Sequence, residues 1–392
     1  MGIQTTLPPA VLIGGPPHAG KSVLTYSLTR ALRQYGVAHY VMRACPDGEG
    51  HWSQETPQQV IEVIRRKGAF SEAFVQRVCA DIQRRQLPFL VDVGGLPQGD
   101  QFQIFQCCTH AILLRHRGPA DRDWHAIVES NHLHLLADFI SELDGTPLLE
   151  EQEPVLRGIL TNLHRGTTIQ GEPFTSLVKC LIALFQSTAS GLDNNHLTQA
   201  PTELVLNLPQ LLEQFAPGST AWSPAMLPRL LRELATGVPT SAYGSAPHWI
   251  YTGIAIHTIP APFYQFDARL GWIQPLPVQT GFDHSPEISF EAVEQSHFTL
   301  LHCILHNQNL DYERISHLHV PMLPANKGLV LSGKLPLWLT SALSSLYYQH
   351  GLPWIAGYYP QSQSAVVVAS RVPTCAPGDL IPIVFREEYQ IR

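Results

Sequence analysis

Residues 327–370 read KGLVLSGKLPLWLTSALSSLYYQHGLPWIAGYYPQSQSAVVVAS and contain a complete strand–helix–strand pattern. An apolar run (GLVL) and a turn (SGK) lead to Pro336, after which apolar residues follow at helical spacing. The run HGLP, ending at Pro353, stops that helix, and WIAGYY returns to a strand pattern. The β-branched run 365–368 predicts one more strand. We therefore expect a small α/β domain here.

The same order of features occurs earlier in the chain. A Pro-x-Trp opening at Trp249 recurs at Trp338, about 90 residues later, and the prolines that end the two helices have nearly the same separation. We interpret this as a tandem duplication of one small α/β domain. Pro-x-Trp is a weak motif, so chance similarity is the alternative.

Composition restricts the class of protein. The chain has 392 residues, enough for two or three domains, with 44% hydrophobic and 15% charged residues. It shows no apolar run of the ~20 residues that span a bilayer and no signal-peptide pattern. Its seven cysteines include no Cys-x-x-Cys pair, and the net charge of −7 gives no overall attraction to nucleic acid. We expect a cytoplasmic protein that binds neither membrane nor double-stranded DNA.

The strongest single motif lies near the amino terminus. The run 15–22 reads GPPHAGKS, follows an apolar strand pattern and precedes an amphipathic helix, as the P-loop pattern G-x-x-x-x-G-K-[ST] requires. Backbone amides would hold the phosphates of ATP, Lys21 would reach the β- and γ-phosphates, and Ser22 would bind Mg²⁺. An ordinary glycine-rich turn explains the pattern less well. The predicted nucleotide-binding residues of this run are Gly15, His18, Ala19, Gly20, Lys21 and Ser22.

Further polar residues follow other predicted strands of this domain. Asp92 ends an apolar strand, as the Walker B carboxylate that helps to hold Mg²⁺ does. Asp47 and Glu49 follow an earlier strand and face the nucleotide crevice, although a solvated acidic turn is an equal alternative. Arg115 and Arg117 follow a later strand and could neutralise phosphate charge, or could be ordinary surface arginines.

These patterns resemble known families. Residues 1–187 resemble a P-loop NTPase or kinase-like domain of the AAA-labelled kind, and a polar linker follows over 187–201. Residues 296–388 resemble the CRISPR-associated ring nuclease family of the Csx-three type, and 201–283 resemble a divergent copy of it. The runs that carry this second resemblance are FTLLH (298–302), GLVLSGK-x-P-x-WL (328–339), H-x-x-P (350–353), AVVV (365–368) and PGDLI (377–381).

The resemblance implies cleavage of cyclic tetra-adenylate, aided by a divalent metal such as Mn²⁺, in a homo-oligomer whose dimers enclose the ring. The family places a histidine before the helix-stopping proline and an Asp-x-Arg run on the next strand. Here the later copy keeps His350, while the earlier copy keeps Asp267 and Arg269 and has only His257 near the histidine position. Lys334 stands where the family usually has arginine. From the chemistry of phosphodiester cleavage we hypothesise a composite site assembled from both copies, in which Asp267 binds metal or hydroxyl, Arg269 and Lys334 bind phosphate, and His350 supplies the proton.

The sequence predicts an α/β protein. A P-loop NTPase domain with a parallel sheet and flanking helices precedes two tandem small α/β domains of ring-nuclease type. Binding and degradation of cyclic tetra-adenylate, coupled to ATP binding, is the favoured function. Two alternatives remain open: a P-loop nucleotide or oligonucleotide kinase or ATPase regulated by a non-cleaving sensor, and simple retention of the cyclic ligand. Asp267 and Arg269 could also form an ordinary ion pair, and His350 could be only a helix cap.

Overall fold

The computed structural model describes residues 7–46, 70–117, 122–164, 166–189, 192–281, 285–306, 310–313, 315 and 318–383. The chain divides into two compact units. Among the described residues, the first unit consists of those up to residue 196 and the short segment 268–271. The second unit consists of 197–267 and the residues from 272 onward. Each unit is described by itself below.

A seven-stranded sheet forms the centre of the first unit. Its strands are β1 (Ala10–Gly14), β2 (Tyr40–Arg43), β3 (Phe89–Asp92), β4 (His110–Arg115), β5 (His134–Glu142), β6 (Leu148–Glu151) and β7 (Leu156–Thr161). They lie in the order β2-β3-β1-β4-β5-β7-β6, and every neighbouring pair is parallel except β6 with β7. The carboxyl ends of β1, β2 and β3 therefore meet at one edge of the sheet, where ligands bind in open α/β sheets.

Helices cover both faces of this sheet, as parallel strands require. They are α1 (Lys21–Gln34), α2 (Glu72–Gln83), α3 (Phe102–Gln106), α4 (Arg122–Ser130) and α5 (Glu172–Ala189), followed by α6 (Leu192–Thr198). Successive residues of β1 serve opposite faces. Val11 and Ile13 belong to the core cluster that contains Leu28 of α1. Leu12 belongs to the cluster on the other face, with Val78 of α2.

The second unit contains three sheets and four helices in its described part. The strands are β8 (Leu204–Asn207), β9 (Thr240–Tyr243), β10 (Phe263–Asp267), β11 (Gly271–Ile273), β12 (Val278–Thr280), β13 (Ile288–Glu294), β14 (Phe298–Leu305), β15 (Leu318–Val320), β16 (Gly328–Ser332), β17 (Trp354–Tyr359), β18 (Ser364–Ser370) and β19 (Leu380–Pro382). The helices are α7 (Leu208–Phe215), α8 (Leu227–Glu233), α9 (His248–Thr258) and α10 (Leu337–Gln349). The sheet orders are β11-β10-β9-β8, β12-β15 and β13-β14-β16-β17-β18-β19.

The two larger sheets of the second unit follow the same route. Strands β8, β9 and β10 are parallel neighbours, and so are β14, β16 and β17. Helix α9 joins β9 to β10 as α10 joins β16 to β17, and each begins after a proline, Pro247 or Pro336, with φ of −62° or −64°. Trp249 and Trp338 occupy the second position of these helices and have no exposed surface. This likeness supports the tandem-copy interpretation, which stays a prediction.

The α/β class predicted from the sequence is confirmed, and the elements predicted within 327–370 lie within two residues of β16, α10, β17 and β18. The run 187–201 differs from the predicted polar linker, because it contains α6. Asp193 lies in the first turn of that helix, where a negative charge is favourable, and His196 is buried. Among the described helices, none is both long and apolar enough to cross a lipid bilayer.

Candidate functional site

The P-loop run forms a tight turn between β1 and α1. Gly15 has φ of +146°, and a Cβ atom there would lie 1.9 Å from the carbonyl oxygen of Leu114. Gly20 has φ of +85°, and its Cβ would lie 2.8 Å from that of Leu163. Both positions therefore require glycine. His18 is the non-glycine residue of this turn with positive φ, and Ala19 is buried.

The side chain of Lys21 lies folded over this turn. Its Nζ donates hydrogen bonds to the carbonyl oxygens of Gly15 at 2.8 Å and Pro16 at 2.7 Å. Burial lowers the pKa of Lys21, while the nearby carboxylate of Asp92 opposes that shift. An ammonium hydrogen-bonded to two carbonyl oxygens can exchange them for phosphate oxygens, which are stronger acceptors.

Ser22 and Asp92 converge on a third residue, Arg43 at the end of β2. Its Nη1 donates a hydrogen bond of 3.0 Å to the hydroxyl of Ser22 and another to the carboxylate of Asp92. Asp92 is 1% exposed. The two predicted magnesium ligands thus lie within reach of one cation, and hydroxyl and carboxylate oxygens are ligands that Mg²⁺ accepts. They fit the metal that a P-loop nucleotide carries.

The sequence did not single out Arg43 as a functional residue, although one signal could have found it. Arg43 ends a strand that pairs in register with β3, so that Arg43 lies opposite Asp92. A cationic side chain that ends the strand beside a Walker B strand lies at the ligand edge of the sheet.

The two arginines predicted to bind phosphate are held by carboxylates of β5. Arg115 contacts both carboxylate oxygens of Asp138, with Nη2 at 3.0 Å from Oδ2, and Arg117 lies 2.6 Å from Glu142. Burial alone would raise the pKa of Asp138, but hydrogen bonds from Arg115 and His125 outweigh it and hold that pKa below its ordinary value.

The structure therefore places Arg115 and Arg117 in ion pairs that fix the strand ends. Asp47 and Glu49, the other predicted acidic pair of this domain, lie outside the described residues.

In the second unit, the carboxyl end of β16 lies beside the middle of β14, where two polar residues meet. Nδ1 of His302 lies 3.3 Å from the hydroxyl of Ser332, its register partner on β16. Lys334 follows two residues later and is exposed, just before α10. Gly333 has φ of +131°, and a Cβ there would lie 2.2 Å from the carbonyl oxygen of Cys303. The Ser-Gly-Lys turn is therefore pressed against β14 and leaves Lys334 at the rim.

The corresponding edge of the earlier copy carries Asp267, the last residue of β10. This carboxylate is half-buried, and its charge adds to burial in raising the pKa of Tyr251. His257 lies in the last turn of α9, where its Nε2 is 2.9 Å from the carbonyl oxygen of Leu234 and 3.2 Å from the hydroxyl of Thr236. Helix α9 thus separates the predicted carboxylate from the predicted histidine of the same copy.

Arg269 belongs to the segment that groups with the first unit. Its Nη1 lies 3.4 Å from Oδ2 of Asp81, and its guanidinium carbon is 5.9 Å from the ring centre of Tyr40. Only 11% of the Arg269 side chain is exposed. Any phosphate that Arg269 binds would compete with the Asp81 carboxylate.

The two copies present their strand ends on the same side of the second unit. Each crossover helix runs back from the carboxyl end of one strand to the amino end of the next. The first residues of α9 contact the end of β17, since the rings of Trp249 and Tyr359 are 6.4 Å apart. Ser341 of α10 in turn contacts Gln265 of β10 at 3.3 Å. Asp267 and Lys334 therefore lie at the same side of this unit.

His350 lies on the opposite side. It caps the carboxyl end of α10, with its backbone N–H bonded to the carbonyl oxygen of Leu346 at 2.9 Å, and it is exposed. Helix α10 has 13 residues, so His350 is about 20 Å from the Ser-Gly-Lys turn. The structure does not bring His350 to Asp267 within one chain.

No cluster of three or more His, Cys, Asp or Glu side chains is arranged to hold a metal ion among the residues that the structure describes. A divalent cation at Ser22 and Asp92, or at Asp267, would therefore complete its coordination with phosphate and water oxygens, as Mg²⁺ commonly does.

Comparisons with known proteins give two findings. The chloroplast FtsY structure from Physcomitrella patens has 13% sequence identity and a TM-score of 0.27, over 46% of this chain and 67% of that one. A family described as "CRISPR-associated protein (Cas_csx3)" matches residues 303–382. The matched range contains Ser332, Lys334 and His350, whereas Asp267 lies before it. The carboxyl-terminal part of this chain is thus similar to a CRISPR-associated family.

Proposed function

We propose that the second unit binds cyclic tetra-adenylate and cleaves it at a phosphodiester bond, and that the first unit binds ATP with Mg²⁺. The observation that carries the proposal is the match of residues 303–382 to the Cas_csx3 family. The repeated strand–helix–strand route supports it, because it supplies two like edges that a cyclic ligand with repeated phosphates can meet.

The residues of the second unit suit cleavage of a 3′–5′ phosphodiester bond. The 2′-hydroxyl oxygen attacks the phosphorus, and its proton passes to the carboxylate of Asp267. The bond to the 5′-oxygen breaks as the imidazolium of His350 protonates that oxygen. Lys334 is the cation of this unit for the phosphate charge that develops. Arg269, the other predicted phosphate ligand, groups with the first unit, where it lies 3.4 Å from Asp81. A divalent cation at Asp267 would neutralise part of that charge.

Cleavage by these residues requires more than one chain. Because His350 and Asp267 lie at opposite sides of the second unit, a site that contains both must take His350 from another copy. The exposure of His350 and Lys334 is consistent with this arrangement, since both can reach a ligand held between copies. We therefore propose a homo-oligomer in which the ring is enclosed between facing second units.

The test is incubation of the purified chain with cyclic tetra-adenylate and Mn²⁺, with and without ATP, followed by chromatography and mass spectrometry. We expect linear adenylates without ATP, and a shorter lifetime of the ring as the oligomer forms at higher protein concentration. If the ring binds to the protein but stays intact at every protein concentration, cleavage is rejected and only binding remains.

A second function is supported by a specific observation, the turn held by Lys21 and the hydrogen bonds that Arg43 donates to Ser22 and Asp92. In this alternative the first unit is a kinase or ATPase and the second unit is a sensor. ATP consumption that requires a nucleotide or oligonucleotide acceptor, with the ring left intact, would select the kinase. A Lys21→Ala variant that still cleaves the ring would separate the two activities.

A further inference from the structure

The first unit contains a cleft of about 340 Å³ away from the P-loop. It lies between the second half of α1, the loop 167–171 and the first half of α5. Its volume falls in the range of sites that take small organic ligands. Arg30, on the wall of the cleft, is nine residues beyond Lys21 on the same helix, or about 14 Å along its axis. The cleft is therefore distinct from the predicted ATP site.

The floor of this cleft is apolar. Ile169, Phe174 and Val178 line it, and they are 2%, 9% and 5% exposed. The ring of Tyr35 stands at the wall and is 64% exposed. An aromatic ring in the ligand would gain apolar contact with the floor and a ring partner in Tyr35.

The charged groups of the cleft have one sign. Arg30 and Lys179 line it, both are exposed, and no acidic side chain is among its lining residues. Across the described part of the chain, neither cation lies within ion-pair distance of a carboxylate. Two cations that face one cleft without a carboxylate partner favour an anionic ligand.

Ser27 adds an independent observation. This residue lines the cleft and is 6% exposed, and its hydroxyl oxygen has no hydrogen-bond partner among the described residues. By contrast, Thr25 on the same helix donates to the carbonyl oxygen of Lys21 at 2.8 Å. A buried hydroxyl without a partner is unfavourable, so such groups call for an explanation. The oxygen is enclosed in this rotamer, and rotation of the Ser27 side chain toward the cleft would let a ligand oxygen supply the missing partner.

We propose that this cleft is a second ligand site of the first unit, for a phosphate monoester that carries a flat ring, of nucleoside monophosphate size. The phosphate lies between Arg30 and Lys179, and the ring packs on Phe174 and Val178. Ser27 donates its hydroxyl hydrogen to an oxygen of the ligand. Three hydroxyls of the loop and of α5, those of Thr167, Thr168 and Thr175, also line the cleft and border the phosphate position.

The probe for this site is AMP, titrated into the full chain by isothermal calorimetry. We expect the double variant Arg30→Ala/Lys179→Ala to weaken AMP binding at least tenfold. The matched control is Arg33→Ala, which removes the same charge from α1 outside the cleft and should leave the affinity within twofold. Lys21→Ala should leave it within twofold as well, because Lys21 belongs to the P-loop.

A second pair of variants tests the buried hydroxyl. Ser27→Ala should weaken AMP binding three- to tenfold. Thr29→Val removes another buried hydroxyl of α1 that has no described partner but does not line the cleft, so it should leave the affinity unchanged. These substitutions are small, and melting curves verify that each variant folds.

Three outcomes would overturn the proposal. The first is AMP affinity that is lost in Lys21→Ala and kept in Arg30→Ala/Lys179→Ala, which places AMP in the P-loop. The second is adenosine binding as tightly as AMP, which removes the role of the phosphate. The third is inorganic phosphate binding as tightly as AMP, which removes the role of the ring.

Discussion

The two copies in the second unit share a chain path but differ in the chemistry at their ends. Both start their helix after a proline and bury a tryptophan at its second position. The earlier copy keeps a carboxylate, Asp267, at its strand edge, while its helix-end histidine is bonded to the carbonyl oxygen of Leu234. The later copy has an exposed histidine at its helix end and Tyr359 at its strand edge. The same chain path thus occurs twice in this unit with different polar residues at its ends.

The largest effect is expected at the carboxylate of the earlier copy. Asp267→Asn removes the proposed proton acceptor while it keeps the shape of the side chain, so ring cleavage should fall at least about a hundredfold. Binding of the ring, measured by equilibrium titration, should change less than threefold. Glu203→Gln is the matched control, since it neutralises an exposed carboxylate elsewhere in the second unit. Cleavage by Asp267→Asn at the rate of this control would contradict the assignment.

The next prediction tests whether the two copies complete each other between chains. His350→Ala should also lower cleavage about fiftyfold or more, because the leaving oxygen loses its proton donor. Mixing equal amounts of Asp267→Asn and His350→Ala chains should restore roughly one quarter of the wild-type rate, since about one randomly formed site in four is intact.

The control for this mixture is a single chain that carries both His257→Gln and Asp267→Asn. Its cleavage rate should stay as low as that of Asp267→Asn alone. His257→Gln by itself should lower thermal stability more than the cleavage rate. A mixture of the two single variants that stays inactive would place all catalytic groups within one chain and contradict the geometry drawn above.

A smaller effect is expected at the rim of the later copy. Lys334→Ala should weaken ring binding about tenfold, because one phosphate loses a cationic partner. Lys334→Arg should keep the affinity, since it restores the charge and adds the fork that suits phosphate. Competition binding with labelled ring measures both. Equal affinity of the alanine and wild-type proteins would show that this rim does not contact phosphate.

The smallest effect concerns the helix start of the earlier copy. Burial lowers the pKa of His248 from 6.5 to about 4, partly offset by a backbone hydrogen bond with Gly357. Between pH 6.5 and 4, His248 binds a proton in the unfolded chain but not in the folded protein. The free energy of unfolding is therefore highest above pH 6.5 and declines as pH falls toward 4. We expect a loss of about 2 kcal/mol in the free energy of unfolding over that interval.

Denaturant titrations at each pH measure this loss. His248→Gln should reduce the slope of stability against pH, because it removes a group that titrates differently in the two states. An unchanged slope in that variant would show that His248 does not contribute to the acid sensitivity.

Local signals predicted the elements of this fold well. The P-loop could be located because its glycines, lysine and serine act within one turn between a strand and a helix. The elements within 327–370 were equally accessible, since hydrophobic spacing and the prolines at the helix ends are properties of neighbouring residues. The place of Asp92 at the end of β3 could be predicted in the same way, because an apolar strand that ends in a carboxylate is a local pattern, while its role as a magnesium ligand stays a prediction.

Long-range partners could not be predicted in this way. The carboxylates that hold Arg115 and Arg117 come from β5, more than 20 residues farther along the chain. Arg43 bridges Ser22, in the first turn of α1, and Asp92, at the end of β3. The partner of Arg269 is Asp81, nearly 190 residues away in sequence. Each of these pairs depends on which strands and turns become neighbours in space. Local sequence patterns do not reveal those neighbours.

The position of Arg43 between Ser22 and Asp92 affects the electrostatic cost of burying the Asp92 carboxylate. A buried carboxylate without a counter-charge would be costly, and the guanidinium of Arg43 supplies a counter-charge to Asp92 within the folded chain. If the first unit binds Mg²⁺ as proposed, the ion would have to displace Arg43 from Asp92, and its affinity would be lower by the strength of that pair. The displaced guanidinium would then be available to a phosphate beside the ion.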